Sequence, residues 1–185
     1  MTRLFDIIFS FLGLLFLSPI LLILIIIGFF DTGTPIFRQE RVGKDKKFFI
    51  LVKFRSMQIN TKSTATHLTN SSAITQFGVF LRKSKLDEIP QLWNVLIGDM
   101  SLVGPRPNLS NQEELIQERN SRGVYSVRPG ITGLAQINKI DMSTPKLLAE
   151  TDAKMISELN ILNYFKYIFL TVFGNGFGDR IRKEI

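Results

Sequence analysis

One long apolar run near the start of the chain stands apart from everything that follows. Residues 7–30 are almost entirely apolar and include no charged side chain. About 20 apolar residues suffice for a helix to cross a bilayer. A signal peptide has a shorter apolar core of roughly 7–15 residues and a small-residue cleavage site, which does not follow here. The run therefore predicts a retained membrane helix.

Ser18 and Pro19 lie in the middle of this run. Proline removes one backbone donor and clashes with the preceding turn, so the pattern predicts a kink, with Ser18 bonding a carbonyl that Pro19 leaves free. Basic residues flank the run on both sides, which favours a helix-break-helix that enters and leaves by one face. Spanning helices also tolerate proline. The pattern alone leaves a re-entrant and a spanning helix equally open, and places the rest of the chain on the cytoplasmic side in both cases.

Shorter patterned segments follow a turn at residues 31–35. Strand-like pieces are predicted between residues 36 and 57, notably Phe48–Phe54, and helices are predicted at 76–83, from about 87 to 97, and at 111–119. Residues 60–75, rich in Thr, Ser and Asn, predict a surface loop in which His67, the one histidine of the chain, is solvent-exposed. The expected fold class is α/β, mostly helical with a small β element. It has a membrane helix and turn over 1–35 and a catalytic domain over 36–185.

The region after Pro145 carries a second concentration of large apolar side chains. Two interpretations are equally open: an amphipathic helix at the level of the lipid headgroups, or an ordinary core helix. The residues concerned are Tyr164, Phe165, Tyr167, Phe169 and Phe173, with Lys166 and Arg180 among them.

Charge and cysteine content narrow the classes of partner. The 185 residues carry a formal net charge of +7, which suits nucleic acid, an anionic membrane surface or a phosphorylated substrate. A membrane helix beside the basic region favours the last two. The chain contains no cysteine, which excludes disulfides and thiolate metal sites.

Asp87 and Glu88 are the first candidates for chemistry. Because Pro90 is tolerated only in the first turn of a helix, the pattern predicts that Asp87 lies at or near the N-cap and Glu88 in the first turn. Free backbone amides and the helix dipole favour a phosphate there, which suits an aspartate that receives a phosphoryl group and a glutamate that holds a metal. The alternative is that Asp87 only caps the helix.

Arg106 lies between Pro105 and Pro107, and prolines on both sides restrict the backbone that carries it. A guanidinium held on a stiff loop suits bidentate binding of a phosphate. Lys53 and Arg82 are weaker candidates for the same task, and Lys53 could equally belong to a solvated strand edge.

These pieces together resemble the bacterial sugar transferase family, and specifically its small monotopic phosphoglycosyl transferases. They occur in family order over most of residues 1–136, and the similarity weakens beyond Pro145, where Lys146 and Asp152 resemble the last family pattern. The matching segments are FRQERVG at 37–43, KFRSM at 53–57, LRKSKLDEIPQLWNVL at 81–96, GDMSLVGPRP at 98–107 and RPGITGLAQ at 128–136.

The resemblance implies a reaction and a site. Asp87 of an Asp87–Glu88 dyad would attack the β-phosphate of a UDP-sugar, UMP would leave, and undecaprenyl phosphate would take the sugar phosphate from the aspartate. Mg²⁺ would be the cofactor, with Asp87 and Glu88 as its protein ligands. Substrate-contacting loops would contain Pro105, Pro107, Arg128, Pro129 and Gly130.

The resemblance also implies a location. The family's N-terminal helix is re-entrant and broken at a Ser-Pro pair matching Ser18-Pro19, which predicts a monotopic protein on the cytoplasmic face of the bacterial inner membrane. Glycosyltransferases would act downstream, and nucleic acid is not an expected partner. The alternative function is a non-enzymatic, membrane-anchored basic protein that binds anionic lipid or RNA, which leaves the acids among arranged arginines unexplained.

Overall fold

The computed structural model describes residues 2–59, 61 and 73–173. The predictions for His67, for most of the loop at 60–75 and for Arg180 lie outside these residues. The helices are α1 (Thr2–Thr32), α2 (Gln76–Ser84), α3 (Gln91–Ile97), α4 (Glu113–Ser121), α5 (Leu134–Ile137), α6 (Pro145–Glu158) and α7 (Ile161–Val172). The strands are β1 (Ile36–Val42), β2 (Phe48–Phe54), β3 (Ser101–Val103) and β4 (Gly130–Thr132).

Two small sheets support the helices. Strands β1 and β2 form an antiparallel hairpin in which Ile36 pairs with Phe54 and Val42 with Phe48. Strands β3 and β4 pair in parallel, with Ser101 opposite Gly130. Helix predominates in the described residues, so the predicted α/β class with a small β element is confirmed, as is the strand at Phe48–Phe54.

Helix α1 continues through Pro19 as one 31-residue helix, where the pattern predicted a break between two helices. The predicted contact of Ser18 is confirmed, because its Oγ donates to the carbonyl of Leu15 at 2.7 Å. That carbonyl is the one that a residue with an N–H at position 19 would bond. Within the described part of the chain, α1 is the one helix long and apolar enough to cross a bilayer. The re-entrant path stays a prediction.

The first two turns of α1 are polar on one side and dock on the rest of the protein. Arg3 donates to the carbonyls of Val95 and Leu96 at the end of α3, at 2.6 and 3.0 Å. The buried Asp6 accepts from the amide of Leu102 at 2.9 Å, and also from the hydroxyls of Ser101 and Tyr164. Because burial and the hydrogen bond to Asp6 favour the neutral phenol, the pKa of Tyr164 is raised. The start of α1 is therefore joined to α3, β3 and α7.

Apolar packing connects α1 to the hairpin and to α7. Leu24 packs with Phe54 of β2 and Leu81 of α2. At the other end of the helix, the Phe5 ring meets Phe165 edge-on, with centroids 5.1 Å apart. Most of the other large apolar residues of α1 face outward and are exposed.

Helix α7 has two different faces, and each corresponds to one of the two predicted roles. Tyr164 and Tyr167 are buried with Val103 and Met155 in the core. Aromatic and aliphatic side chains are exposed on the other face: Leu162, Phe165, Phe169 and Val172, followed by Phe173. The core interpretation holds for the tyrosines, and the exposed face is available to a membrane surface.

Candidate active site

A cleft of about 310 Å³, which includes its solvent-open part, lies between the β1–β2 hairpin, the start of α3 and the loop after β3. It brings together four of the predicted residues, Lys53, Arg106, Pro107 and Gly130, although they are far apart in the sequence. Arg41, Leu51, Gln91 and Ile131 complete its lining. The cleft is therefore lined by three cations, as a site for a phosphorylated ligand requires.

Asp87 and Glu88 lie in a separate 3-10 turn, Leu86–Glu88, ahead of α3. The prediction that Asp87 caps α3 is therefore wrong: the residue before the first residue of α3 is Pro90, in a right-handed helical conformation. Lys85, with φ of 58°, reverses the chain after α2 and starts the turn. Since α3 has only seven residues and begins four positions later, the helix dipole gives little support to an anion at Asp87.

Glu88 and Arg106 connect the dyad turn to the cleft. Arg106 Nη2 donates to Glu88 Oε1 at 2.7 Å, and both side chains are largely shielded from water. Shielding strengthens such an ion pair relative to an exposed one. Arg106 therefore lies beside the dyad, where the sequence predicted a phosphate-binding cation.

Asp87 is only 2% exposed. A carboxylate that attacks a phosphorus atom must bring an oxygen to roughly 3–3.5 Å from it. The observed burial therefore requires a neighbouring group to move before a substrate meets Asp87.

Lys53 and Arg82 occupy different positions around the turn. Lys53 is buried in the cleft lining, with its Nζ 5.6 Å from the centre of the Phe37 ring, so it does not lie on a solvated strand edge. Arg82, on α2, is outside the cleft lining and donates from Nε to Ser56 Oγ at 2.8 Å. Its Nη1 is buried without a hydrogen-bond partner among the described residues, so it could donate to a phosphate.

The two predicted substrate loops are held against each other. A Cβ atom on Gly130 would lie 2.0 Å from the amide nitrogen of Gly104, so only glycine permits this approach of the backbones. Arg128 Nε donates to the carbonyl of Gly98 at 2.7 Å and so holds the second loop to the end of α3. Pro105 and Pro129 line a smaller hollow beside Tyr125, which shares Pro107 with the cation-lined cleft.

Asn94 couples the strand that carries Lys53 to the helix that follows the dyad. Its side-chain amide accepts from the N–H of Val52 at 3.0 Å and donates to the carbonyl of Ile50 at 2.7 Å. The Asn94 side chain thus bonds one edge of β2 in the way a neighbouring strand would. Lys53 is held in register with α3 as a result.

Asp87 and Glu88 fit a magnesium ion only as part of its ligand set. Mg²⁺ commonly takes one or two carboxylates and fills its other positions with water and substrate phosphate oxygens. No group of three or more acidic, histidine or cysteine side chains that could hold a metal occurs among the residues that the structure describes. Glu88 can contribute only if its contact with Arg106 changes.

Several residues of this region were not singled out from the sequence as site residues. Arg41 and Gln91 line the cleft, and a buried ion pair lies behind it, with Arg119 Nη2 and Asp152 Oδ2 2.7 Å apart. Burial raises the pKa of Asp152, and the Arg119 guanidinium opposes that shift. Asp152 was noted only for its resemblance to a family pattern, and nothing in the spacing of Arg119 separates it from a surface arginine.

Comparison with known proteins identifies the family. A family model described as bacterial sugar transferase matches residues 1–176. The chain is 43% identical over 183 residues to a UDP-glucose:undecaprenyl-phosphate glucose-1-phosphate transferase of Klebsiella pneumoniae, covering 92% of this chain and 39% of the relative. It is 41% identical over 180 residues to the enzyme of that name from Escherichia coli (strain K12), covering 91% and 38%.

A third relative is similar over most of its own length. The exopolysaccharide production protein PSS of Rhizobium leguminosarum bv. phaseoli is 37% identical over 177 residues, covering 90% of this chain and 87% of the relative. The chain thus spans about two fifths of the first two relatives and nearly all of the third.

Proposed function

Because this chain belongs to the bacterial sugar transferase family, we propose that it transfers a sugar 1-phosphate from a UDP-sugar to undecaprenyl phosphate. The products are UMP and undecaprenyl-diphosphate-sugar, the starting lipid for assembly of a glycan. The observation that carries the proposal is the Arg106–Glu88 contact next to Asp87, at a cleft lined by Lys53, Arg41 and Arg106. The names of two relatives state this type of reaction for glucose.

The reaction consists of two displacements at one phosphorus atom. An oxygen of Asp87 attacks the β-phosphorus, the bond from that phosphorus to the bridging oxygen breaks, and UMP leaves with the electron pair. The sugar phosphate stays on Asp87 as an acyl phosphate. An oxygen of undecaprenyl phosphate then attacks the same phosphorus and releases the Asp87 carboxylate.

Arg106 is the group that we expect to change partner when the substrate enters. It bonds Glu88 in the structure, and a diphosphate offers it more acceptor oxygens and more charge than a single carboxylate. Exchange of Arg106 from Glu88 to the diphosphate would open the dyad turn and stabilise charge on the departing UMP.

We propose Mg²⁺ as the cofactor, held by Asp87 and, once Arg106 has moved, by Glu88. When bound, the ion neutralises charge on the phosphate oxygens of the diphosphate. Removal of divalent cations with EDTA should abolish UMP release, and added Mg²⁺ should restore it. Full turnover in EDTA would contradict the metal assignment without affecting that of Asp87.

We further propose that α1 lies in the inner membrane and that the cleft opens on the cytoplasmic side. The outward-facing apolar side of α1 and the exposed face of α7 support this location. Cysteines introduced at Thr2 and Thr34 should both be labelled only from the cytoplasm if α1 is re-entrant. Periplasmic labelling at Thr2 would show a spanning helix instead.

The test of the mechanism is the covalent intermediate. Purified protein and a radiolabelled UDP-sugar, without lipid acceptor, should release up to one equivalent of UMP and retain the sugar phosphate on the protein. The UDP-sugar must first be identified by screening a panel with undecaprenyl phosphate present. Asp87→Asn should abolish adduct and turnover while the protein stays folded and membrane-bound.

The matched control is Asp45→Asn, an exposed acid in the turn between β1 and β2, which should keep both activities. An Asp87→Asn protein that still forms the adduct would identify Asp87 as a structural residue. A chain that binds lipid but turns over no UDP-sugar would favour the non-enzymatic alternative, which family membership disfavours.

A further inference from the structure

Five consecutive backbone carbonyls, those of residues 104–108, each accept a hydrogen bond from a different residue. We call this segment the Arg106 loop. The donors in order are Gln136 Nε2 at 3.2 Å, Gly130 N at 2.8 Å, Arg119 Nη1 at 2.8 Å, Arg41 Nη1 at 3.1 Å and Val42 N at 2.9 Å. All five donors lie outside the loop, so its shape is set by the surrounding elements.

Arg119 is the most constrained of these donors. It is 1% exposed, and its Nε and Nη2 both donate to Asp152 Oδ2, at 3.0 and 2.7 Å. The remaining nitrogen, Nη1, donates to the carbonyl of Arg106 and to Asn108 Oδ1 at 2.9 Å. Asp152 thus fixes the plane of the Arg119 guanidinium, and Nη1 on its other side is directed at the Arg106 loop.

A buried ion pair is a poor way to stabilise a fold, because removing two charges from water offsets most of their attraction. Here Asp152 also keeps an oxygen, Oδ1, that is buried without a hydrogen-bond partner among the described residues, and burial raises its pKa. Stability therefore does not explain why the Arg119–Asp152 ion pair is buried. The contact of Arg119 with the Arg106 loop does.

Arg41 makes the same kind of contact from the opposite side. It is buried on β1, where its Nη2 donates to Gln39 Oε1 at 2.6 Å and its Nη1 reaches the carbonyl of Pro107. Two buried guanidiniums, from β1 and α4, therefore hold two successive carbonyls at the position of Arg106. A planar fork can satisfy several acceptors in fixed directions, whereas the ammonium of a lysine is a single point.

We propose that Arg119 and Arg41 are positioning residues, which hold the carbonyls of Arg106 and Pro107 and thereby fix the backbone from which the Arg106 guanidinium reaches the Asp87–Glu88 dyad or a bound diphosphate. The expected loss of kcat rests on the proposed function. The rigidity of the loop, by contrast, can be measured without any substrate.

The kinetic test compares Arg119→Lys with Arg122→Lys in the full-length protein in lipid nanodiscs. Arg122 directly follows α4 as its C-terminal cap residue, but it pairs with Glu118 and Glu150 and donates no hydrogen bond to the Arg106 loop. Arg119→Lys should lower kcat for UMP release roughly ten- to hundredfold, as expected for a misplaced catalytic group. Arg122→Lys should stay within about twofold of the original protein, as expected for an exposed ion pair.

A second background separates positioning from general stability. If Arg119 acts through Arg106, Arg119→Lys should change activity by less than about twofold once Arg106→Ala is present, because the two effects share one cause. A reduction by the same factor in both backgrounds would overturn the proposal.

Hydrogen exchange gives the readout that needs no activity. Arg119→Lys should speed exchange of the backbone amides of Gly104, Arg106 and Asn108, the loop residues that carry an N–H. Arg122→Lys should leave them unchanged. Unchanged exchange in Arg119→Lys would overturn the proposal. If the original protein shows no transfer with any UDP-sugar, the proposed function fails, and exchange alone decides whether the arginines fix the loop.

Arg41→Lys keeps the proposal testable if Arg119→Lys fails to fold. It removes the planar guanidinium from the adjacent carbonyl, that of Pro107, and should also speed exchange of the loop amides. Exchange is the decisive readout for this variant, because Arg41 also lines the cleft. A folded Arg41→Lys protein with the original loop exchange and kcat would overturn the role of Arg41.

Discussion

Two proline-containing regions of this protein, α1 and the Arg106 loop, satisfy the backbone carbonyls near their prolines in opposite ways. In α1, Pro19 cannot donate to the carbonyl of Leu15, and the neighbouring Ser18 hydroxyl takes its place at 2.7 Å. In the Arg106 loop, donors come from β1, α4, α5 and β4, all remote in sequence. The carbonyl in α1 receives its hydrogen bond from a neighbouring residue, whereas the carbonyls of the Arg106 loop receive theirs from elements across the domain.

The difference follows from the surroundings of each region. A helix in lipid finds no water to bond its backbone, so it must satisfy each polar group within itself or through its protein neighbours. A loop that presents a cation to a substrate gains from being held by many elements, because small displacements of a catalytic group reduce rates strongly. A segment whose backbone hydrogen bonds are all local can keep its shape without the rest of the domain. A segment bonded by remote donors keeps its shape only within the folded domain.

The largest expected effect comes from removing the group that the loop presents. Arg106→Ala should lower kcat for UMP release by about 10²–10³, the range for losing one preorganised donor. The free energy of unfolding should change by less than the activation free energy that corresponds to this loss of kcat, since the loop carbonyls keep their hydrogen-bond donors. Steady-state assays with urea unfolding on the same preparations measure both. A change within a few-fold would mean that Arg106 does not contact the reacting diphosphate.

A smaller effect is expected in α1. Ser18→Ala removes the donor to Leu15 and should cost about 0.6–1.7 kcal/mol of stability, as for hydrogen bonds within membranes. In a Pro19→Ala background, residue 19 regains an N–H that can bond Leu15, so the same Ser18→Ala change should cost little. The coupling energy from this double-mutant cycle, measured by detergent unfolding, tests whether the Ser18 hydroxyl replaces the missing N–H of Pro19. Additive effects would refute it.

The smallest effect is expected from a proline ring of the Arg106 loop. Pro107→Ala should destabilise the protein by about 0.4–1 kcal/mol through the entropy of the unfolded chain and lower kcat by less than about tenfold. The remote donors, and not the ring, are expected to hold the loop. A loss of activity as large as that of Arg106→Ala would show that the ring itself provides the stiffness.

Much of the fold was predictable because it depends on local pattern. A run of β-branched and aromatic residues located Phe48–Phe54, and the helix predicted at 76–83 begins at the observed residue, Gln76. The helix predicted at 111–119 begins two residues later than expected, at Glu113. The dyad turn was misassigned because the Ile89 and Pro90 backbones are helical too. A 3-10 turn followed by an α-helix then has the same apolar spacing as one longer helix.

The candidate site was predictable only in part. Lys53, Arg106, Pro107 and Gly130 were all identified in advance and meet at the cleft. The flanking prolines marked Arg106, the end of a predicted strand marked Lys53, and the family resemblance implied the loops that contain Pro107 and Gly130. The buried Arg119 could not be identified, since an arginine on a polar helix normally faces solvent. Arg119 can be buried because the folded chain places the Asp152 carboxylate against its guanidinium.

Arg3 and Asp6, at the start of α1, have a consequence for how the protein meets its bilayer. A helix rises about 1.5 Å and turns about 100° per residue, so their contacts with α3, β3 and α7 determine both the height and the rotation of α1. In the proposed membrane-bound state, the distance from the lipid surface to the cleft is therefore a property of the chain. Because Leu24 near the other end of α1 also packs on Phe54 and Leu81, a thicker or thinner bilayer would adjust around the helix, and the position at which lipid and sugar substrates meet would stay the same.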